Sequence, residues 1–462
     1  MAYTTINNGK LYFNTKLYTG NGSSTQAITG VGFQPDWVWI KNRTDAHWHN
    51  LTDSVRGPSK TLRSNRTSAE ATDSSSGYVS AFGTDGFTVS AGSSDAEEVN
   101  TSSDNYVSWN WIGAGTAPSK TYVVTVVSDG GNKYRFDGYG TSAVTLELSE
   151  GGTYTFDQSD ASNDGHPLRF ATAADAAGST EYTTGVTTNG TPGNAGAYTR
   201  ITVAASAPTL YYYCTNHSGM GGQANTPTTN SFSNFAGAIQ SNISPNTTSG
   251  FSIVSYTGTG SATTVGHGLS SAPKIVIVKN RDDGQAWRVG FTSIGFDKYL
   301  SFSSGSAKVS SSGMFNNTAP TTSVFSVGSD GATNASGEKC IAYCFNDVKG
   351  YSKIGSYVGS GSDVFIYTGF KVGWLLVKNA DATNGWLMID TTRSPANPQG
   401  KYIYTDSGNA EGTVTYGEFF SNGFGWKGTG SVAVNQDGEQ FVYMAFAENP
   451  FTSSTGTPVT AR

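Results

Sequence analysis

The chain has 462 residues, which predicts several domains of ordinary size, and it carries a formal net charge of −6 with a pI near 5.4. This charge argues against nucleic acid as a partner, because phosphate neutralisation requires clustered Lys and Arg. No apolar run approaches the roughly 18 residues needed for membrane insertion, and the N-terminus lacks the basic and apolar regions of a secretory signal. With only three Cys and no signal, we expect a chain made in reducing cytoplasm without disulfides.

The composition favours an all-β fold. Charged residues make up only 13 % of the chain, whereas the 58 Gly, 24 Tyr and 24 Phe are numerous. Short β-branched and aromatic runs separated by Gly, Asn and Ser are typical of β-sandwiches. We find no amphipathic helical stretch longer than about three turns.

One pattern recurs in the first part of the chain and twice in its second half. A Tyr is followed by Lys-Asn 23, 23 and 21 residues later, and a Trp comes seven or eight residues after the Lys. The three copies contain Tyr18, Lys41 and Trp48; Tyr256, Lys279 and Trp287; and Tyr357, Lys378 and Trp386. Internal repeats of this kind predict one supersecondary unit used three times.

Each copy closes with a strand that is apolar at every second position. These strands contain Val107, Trp109 and Trp111; Ile341, Tyr343 and Phe345; and Val442, Met444 and Phe446. Such alternation predicts half-buried strands packed on a second sheet. Cys340 and Cys344 lie on one of these strands, where we expect small buried spacers rather than metal ligands.

The three units resemble a repeated β-rich domain of structural and tail-fibre-like proteins from tailed phages, especially marine ones. The matching motifs are strongest in the first unit, from Gln34 to Arg43 and from Asp53 to Gly57. The resemblance covers roughly 15–115 and 230–450, and it brings no catalytic residue with it. It implies a virion component, made in the host cytoplasm and assembled with other virion proteins.

Between the first two copies lies a segment with a different pattern. Short strands separated by Gly-rich turns are predicted at 122–127, 134–136, 143–148, 153–156, 198–203 and 210–213. The last strand runs into Cys214, His217 and Met220, which are spaced by two residues each, and His166 lies 48 positions before Cys214. A thiolate, two imidazoles and a long axial thioether are the ligands of a mononuclear copper electron-transfer site. The alternative is that Cys214 is a small buried hydrophobe and the others are ordinary loop residues.

The Cys-x2-His-x2-Met loop resembles that of cupredoxins, the small blue copper proteins. This resemblance implies a Greek-key sandwich with one copper ion held by His166, Cys214, His217 and Met220. Many cupredoxins have Asn directly after the first His and Pro directly before the second, where this chain has Pro167 and Asn216. We therefore expect different hydrogen bonding around the ligands and a different redox potential.

The predicted organisation is an all-β, multidomain string of β-sandwiches, with three similar repeats plus one cupredoxin-like Greek-key sandwich. Its domains are repeat 1 at 1–116, the cupredoxin-like domain at 117–228, a linker with repeat 2 at 229–350, and repeat 3 at 351–462. These four names are used below.

Other residue patterns give weaker candidates. His47 and His49 share one face if their segment is extended, but no third metal ligand is evident, and we expect both on the surface. The Trp after each Lys-Asn could stack on sugar rings, although a place in the core or an interface is favoured. Carboxylates lie mainly in turns such as Asp129-Gly130, and no motif indicates an enzyme, so no catalytic residue is assigned.

The function expected from these patterns is structural. We expect a tail-fibre or appendage protein for host attachment, forming a homo-oligomer and recognising a host-surface glycan or protein, with a type-1-like copper site. The first alternative is a soluble blue-copper electron carrier with accessory domains. The second is a carbohydrate-binding adhesin.

Overall fold

The computed structural model describes residues 4–428 and 430–448, and its architecture is all-β and multidomain, as the sequence predicts. The strands of repeat 1 are β1 Phe13–Thr19, β2 Thr25–Thr29, β3 Trp37–Asn42, β4 Asn50–Asp53, β5 Lys60–Thr61, β6 Ala71–Thr72, β7 Tyr78–Gly83, β8 Gly86–Ser90 and β9 Asn105–Trp111. Those of the inserted segment are β10 Ser119–Ser128, β11 Asn132–Phe136, β12 Leu146–Glu147, β13 Thr153–Asp157, β14 Leu168–Ala171, β15 Val186–Asn189, β16 Tyr198–Thr202, β17 Leu210–Cys214 and β18 Gly222–Asn225.

The rest of the described chain is built in the same way. Repeat 2 and its linker contain β19 Phe232–Asn234, β20 Ser241–Asn246, β21 Phe251–Thr257, β22 Thr263–Gly266, β23 Ile275–Asn280, β24 Arg288–Phe291, β25 Lys298–Ser301, β26 Val309–Ser310, β27 Val324–Val327 and β28 Lys339–Phe345. Repeat 3 contains β29 Ser352–Val358, β30 Val364–Tyr367, β31 Val372–Asn379, β32 Leu387–Asp390, β33 Gln399–Tyr404, β34 Gly412–Phe420, β35 Gly423–Trp426 and β36 Gln440–Ala447.

Helical structure is limited to single turns among the described residues. The two α-helices are α1 Ser312–Phe315 and α2 Gly331–Asn334, and the 3-10 turns are Gly9–Leu11, Ala161–Asn163, Ala174–Ala176 and Thr292–Ile294. No helix in the described part of the chain has the length and apolarity needed to cross a membrane.

All three repeats contain the same four-stranded antiparallel arrangement. Its strand order is β1-β9-β3-β4 in repeat 1, β21-β28-β23-β24 in repeat 2 and β29-β36-β31-β32 in repeat 3. The Lys-Asn pair ends the third strand of each arrangement, and the alternating strand is the second. The sequence repeat is therefore a structural repeat.

The Lys-Asn pair has the same role each time. The buried Lys amine donates a hydrogen bond to the carbonyl oxygen of the following Asn. The Asn side-chain oxygen accepts two main-chain N–H groups of the next turn, and its amide donates to a carboxylate. An Asx turn of this type fixes the chain as it leaves the strand.

The alternating strands are buried on both faces, so the expectation of half-buried strands is wrong. Every residue from Tyr106 to Trp111 is buried, and the same holds from Cys340 to Phe345 and from Phe441 to Ala447. One face packs inside its own repeat, and the other faces a core shared by all three repeats. The alternation within one strand cannot reveal that neighbouring repeats cover its second face.

The shared core is aromatic and joins the three repeats. Trp37 of repeat 1 stacks on Tyr343 of repeat 2 with ring centroids 4.2 Å apart. Phe13 of repeat 1 stacks on Phe446 of repeat 3 at 4.8 Å, and Phe302 of repeat 2 meets Trp386 of repeat 3 at 4.6 Å. The repeats thus close around a common centre, because each contacts the other two.

Equivalent residues make equivalent contacts around this centre. The residue just before the fourth strand is His49, Trp287 or Trp386, and its ring nitrogen donates to a main-chain carbonyl of the neighbouring repeat. The acceptors are Tyr404 in repeat 3, Arg63 in repeat 1 and Ser301 in repeat 2. The contacts run from repeat 1 to 3, from 2 to 1 and from 3 to 2, as in a ring of three subunits.

An ion pair accompanies each of these interfaces. The pairs are Arg43–Glu411, Arg281–Glu70 and Asp381–Lys308, with N···O distances of 2.8, 2.8 and 2.6 Å. The charges are reversed in the third pair, yet the main-chain hydrogen bond beside it is kept, because Lys308 N donates to Ala380 O as Glu70 N donates to Arg281 O. The interface geometry therefore repeats where the residue types do not.

The inserted segment forms a separate two-sheet sandwich. Its sheets have the strand orders β11-β10-β13-β16-β15 and β12-β18-β17-β14, with parallel pairs at β10/β13 and β12/β18. All six strands predicted for this segment are present, although β12 is only two residues long. Its core continues into that of repeat 2 through Phe232 and Phe235.

Candidate metal centre

Two neighbouring strands of the inserted sandwich place the first two candidate ligands. Cys214 is the last residue of β17 and is paired with Leu168, the first residue of β14, in antiparallel register. His166 lies two residues before Leu168, so it emerges at the same end of the sheet as Cys214. The sequence did not reveal β14, and this strand is what brings the distant His to the Cys.

The structure brings His166, Cys214 and His217 together. The Cys214 sulfur lies 3.8 Å from Nδ1 of His166 and 3.7 Å from Nδ1 of His217. With metal–sulfur and metal–nitrogen bonds of about 2.3 and 2.0 Å, as zinc forms, sulfur and nitrogen are about 3.5 Å apart in a tetrahedral site and about 3.7 Å apart in a trigonal one. A single ion bound by all three atoms fits these distances.

The rings and the sulfur differ in their exposure. The two imidazoles are tilted by 48° with centroids 4.6 Å apart. Cys214 is buried, His166 is half-buried and His217 is exposed. The group of donor atoms is therefore buried at the sulfur and open to solvent at His217.

Met220, the predicted fourth ligand, is buried in the same core as Cys214. It ends the loop that begins at Cys214, and its carbonyl oxygen accepts a hydrogen bond from the main-chain N–H of Tyr134. The thioether thus lies inside the domain, while the ligation of a metal by its sulfur stays a prediction.

Hydrogen bonds to the main chain fix the position of His166. Its carbonyl oxygen accepts from the Tyr134 hydroxyl and from the Gln158 amide, each at 2.9 Å. Its own N–H donates to the carbonyl of Asn163 at 2.8 Å. Because the backbone is held at both of its polar groups, the main chain of His166 is fixed beside Cys214.

The loop carrying His217 is fastened to its surroundings at several points. The Asn216 amide donates to the carbonyl of Gly165 at 2.9 Å. Gly219 donates its N–H to Asp175 at 2.8 Å, and its carbonyl accepts from the amine of Lys133. A loop held in this way reduces the entropy lost when a metal binds.

The electrostatic surroundings favour neutral imidazole at His166. Burial and the nearby His217 lower the pKa of His166, with Asp164 acting in the opposite direction. Burial, followed by the neighbouring Cys214 sulfur, raises the pKa of the Tyr134 hydroxyl. Metal ligation requires unprotonated imidazole, so this environment suits a metal site.

The pair His47 and His49 is divided between two environments, and the expectation of two surface histidines is wrong for His49. Nδ1 of His49 accepts from the Trp39 indole at 2.9 Å, so Nε2 carries the hydrogen and donates to Tyr404 O at 3.1 Å. Burial and Lys41 lower the pKa of His49 to about 3. His47 is half-buried beside Glu97, at 3.1 Å from its carboxylate.

The Trp residues after the Lys-Asn pairs are also divided. Trp287 and Trp386 are buried, as favoured from their repetition, and neither can stack on a sugar. Trp48 is 39 % exposed, with the guanidinium groups of Arg63 and Arg66 lying 4.9 and 4.5 Å from its ring centroid. The strand register equates His49, not Trp48, with Trp287 and Trp386.

The other two cysteines lie far from this chemistry. Cys340 and Cys344 are free and buried in strand β28, as the sequence predicts. Burial raises the pKa of the Cys340 thiol to about 12. A thiol in such surroundings stays protonated and unreactive.

Comparison with protein families matches a large part of this chain. A model described as a domain of unknown function (DUF7483) matches residues 8–151 and 223–450. Comparisons with curated proteins and with solved structures give no match. The match covers the three repeats and passes over 152–222, the part of the inserted sandwich that holds His166, Cys214, His217 and Met220. On this evidence, the chain belongs to the DUF7483 family and carries its candidate metal centre in a segment outside the family match.

Proposed function

We propose that this protein is a structural component of a tailed-phage virion, in a tail fibre or appendage used for host attachment, and that its inserted domain binds one copper ion. The observation that carries the copper assignment is the convergence of Nδ1 of His166, Sγ of Cys214 and Nδ1 of His217. The resemblance of the three repeats to phage tail proteins supports the structural role.

The donor set favours copper among the common metals. Two imidazoles and one thiolate in trigonal arrangement, with a weak axial thioether, are typical of blue-copper sites, whereas structural zinc sites have four firm ligands. His166, Cys214 and His217 would hold the ion, and Met220 would supply the axial sulfur. When bound, copper would supply a one-electron redox centre.

The contacts between the repeats favour a rigid structural protein over a diffusing electron carrier. Each repeat interface combines aromatic packing, an ion pair and a ring nitrogen bonded to a neighbouring carbonyl. A metal that binds only the folded state would add about 2.7 kcal/mol when its concentration is 100 times Kd. Copper would then fasten the ligand loop to the sandwich with no need for electron traffic.

The copper proposal is tested by adding Cu(II) to the purified chain. We expect one equivalent to bind, to produce a blue colour from charge transfer between thiolate and copper, and to raise the melting temperature. Cys214→Ser should abolish the colour. Cys344→Ser is the matched control, because it removes a buried thiol from repeat 2 and should leave the colour intact. A colourless wild-type protein would contradict the blue-copper assignment.

The place of the protein in a virion is tested separately. Mass spectrometry of purified particles should find this chain at a fixed copy number, together with other virion proteins. The electron-carrier alternative predicts its absence from particles. That alternative is favoured by one observation, the exposure of His217, since a carrier needs an imidazole edge that a redox partner can approach.

The adhesin alternative now depends on Trp48. This exposed ring borders a cleft of about 270 Å³ that is also lined by His47, Ser76 and Glu97. An aromatic face beside carboxylates is suited to stacking on a sugar ring and bonding its hydroxyls. Binding of a glycan array that is lost in Trp48→Ala would support this alternative.

A further inference from the structure

Repeat 1 contains a second group of convergent ligand atoms, outside the inserted sandwich. Asp45 and His47 lie on the loop between β3 and β4, and Asp104 directly precedes β9. One ligand atom from each residue lies within 4.8 Å of the other two. Separations of this size are compatible with two carboxylates and one imidazole around a single cation.

Asn42 holds the two segments in place before any ligand arrives. Its amide nitrogen donates to Oδ2 of Asp104 at 2.8 Å. Its side-chain oxygen accepts from the N–H groups of Thr44 and Asp45, at 2.9 and 3.0 Å. A single side chain therefore sets the position of Asp45 relative to Asp104, and the group is preorganised.

The charges of this group are not balanced by the protein. Asp104 is 7 % exposed, and apart from the Asn42 amide its carboxylate has no hydrogen-bond or ionic partner among residues 4–428 and 430–448. The side chain of Asp45 has no such partner in the same ranges. Glu97 adds a third carboxylate, which lies 3.1 Å from Nδ1 of His47. Nine-tenths burial of a carboxylate without a cation is unfavourable, and a metal ion would relieve it.

The other repeats show which part of the group the fold requires. The side-chain amide of the Asn in each Lys-Asn pair donates to a carboxylate. The acceptors are Asp104 in repeat 1, Glu338 in repeat 2 and Glu439 in repeat 3. The counterparts of Asp45 and His47 are Asp283 and Gln285 in repeat 2 and Ala382 and Asn384 in repeat 3. Asp104 therefore has an architectural role, whereas the combination of Asp and His at the other two positions belongs to repeat 1 alone.

We propose that Asp45, His47 and Asp104 bind a divalent transition-metal cation of the zinc class. A mixed imidazole and carboxylate set suits Zn²⁺, whereas Ca²⁺ and Mg²⁺ take oxygen ligands. Asp45 is exposed and His47 half-buried, so the remaining coordination positions are open to water or to an oxygen donor from solvent. The ion would tie the Trp48 loop to the segment before β9.

The experiment uses the full chain with Cys214→Ser and His217→Gln, which removes two of the candidate copper ligands, including the thiolate. Calorimetric titration with Zn²⁺ and elemental analysis should give one ion per chain. Adding His47→Gln, which copies Gln285 of repeat 2, should weaken Zn²⁺ binding at least about tenfold, since even the loss of a residue that only supports a metal ligand costs that much. Asp45→Asn should weaken Zn²⁺ binding to a similar extent. Because Asp45 is exposed, this change should leave the stability of the fold unaltered.

Asp283→Asn is the matched control. It changes the counterpart of Asp45 in repeat 2, where the carboxylate accepts from Gly284 N and the Gln285 amide, and it should leave Zn²⁺ affinity unchanged. Equal Zn²⁺ binding by the His47→Gln protein and its parent would overturn the proposal. Binding of Ca²⁺ with none of Zn²⁺ would overturn the choice of metal class. Neither result bears on the copper proposal, because Cys214 and His217 are already replaced in every variant compared.

Discussion

The hydroxyl of Tyr343 in repeat 2 donates a hydrogen bond to Asp53 of repeat 1 at 2.7 Å. The same relationship joins Trp109 of repeat 1 to Asp390 of repeat 3, at 3.2 Å. At the third interface the equivalent positions hold Met444 and Phe291, both members of the shared aromatic core. Two interfaces are thus polar at their centre and one is apolar, within a single backbone geometry.

Tyr343→Phe is expected to destabilise the protein by roughly 1–3 kcal/mol. The change removes the hydroxyl that donates to Asp53, a buried carboxylate that is also paired with Arg56. Chemical denaturation measures the free energy of unfolding from the midpoint of the transition and its dependence on denaturant concentration. Tyr357→Phe is a useful comparison, because that hydroxyl donates to Val434 within the same repeat. It should also destabilise, without weakening the contact between repeats 1 and 2 in limited proteolysis.

Reversing the charge of only one partner in the Arg281–Glu70 ion pair is expected to destabilise the protein. Arg281→Glu places two carboxylates together at a partly buried interface and should cost roughly 3–5 kcal/mol. The double variant Arg281→Glu, Glu70→Arg should recover part of that loss, as the natural charge reversal at Lys308 and Asp381 suggests. Recovery will be incomplete, because Glu70 also binds Arg56. Thermal unfolding of the single and double variants gives the coupling energy.

Glu70 also gives the fold an acid limit. Burial raises the pKa of Glu70, but Arg56 and Arg281 more than reverse this effect and lower it to about 2. Because the folded pKa lies below the usual value of about 4.5, the unfolded chain binds more protons between these values, and stability falls as the pH drops through them. Glu70→Gln should therefore flatten the loss of melting temperature between about pH 4.5 and 2. An unchanged acid profile would argue against the ionised pair.

The buried lysines predict a dependence of the same sign at alkaline pH. Burial lowers the pKa of Lys41 from 10.5 to about 7, so the unfolded chain holds a proton that the folded chain releases. Stability should rise with pH between about 7 and 10, by at most about 1.4 kcal/mol per pH unit for each fully shifted lysine. Lys41→Met should reduce this slope. The variant should keep most of its stability at pH 7, since the aliphatic part of the side chain is already packed.

The repeat was predictable from sequence because its Tyr, Lys-Asn and alternating strand recur at nearly fixed spacing. The convergence of His166, Cys214 and His217 was predictable because Cys and His are rare in this chain, so their spacing stands out. The strand that positions His166, Leu168–Ala171, alternates only from Leu168 to Phe170, which is too short a pattern to predict a strand, and its existence depends on pairing with β17. Such pairing is a tertiary effect that a four-residue sequence does not encode.

The position of Trp48 shows the other limit of sequence comparison. Matching Trp with Trp places Trp48 beside Trp287 and Trp386, whereas the strand pairing places His49 there. A shift of one residue in an extended segment turns a side chain to the opposite face, so His49 is buried and Trp48 is exposed. The imidazole of His49 and the indoles of Trp287 and Trp386 each donate an N–H to a carbonyl of the neighbouring repeat, which is why His can replace Trp at this interface. The feature that repeats at this position is therefore a ring N–H donor and not one residue type.

A single carboxylate fastens both connections of the inserted sandwich to repeat 1. Oδ2 of Asp36 accepts from the N–H groups of Gly113 and Gly115, on the segment that leads into the sandwich. Oδ1 accepts from the Asn230 amide, on the segment that leaves it, and from the Ser54 hydroxyl. Asp36 is fully buried, and Gly113, Ser54 and Asn230 are buried beside it, so these three donors have little access to water as an alternative partner.

Asp36→Ala is therefore expected to loosen the sandwich from the repeats before either unfolds. The change leaves the Gly113 N–H, the Asn230 amide and the Ser54 hydroxyl without their acceptor in buried surroundings, at a cost of roughly 3–5 kcal/mol. Limited proteolysis should then cut first near residues 113–118 and 226–231 and release a fragment containing Cys214. Asp85→Ala is the matched control, because Asp85 also accepts two main-chain N–H groups, from Gly30 and Gly32, but in an exposed turn. If both variants gave the wild-type cleavage pattern, the two connections would have to be held by their other contacts, and Asp36 would not be the clamp.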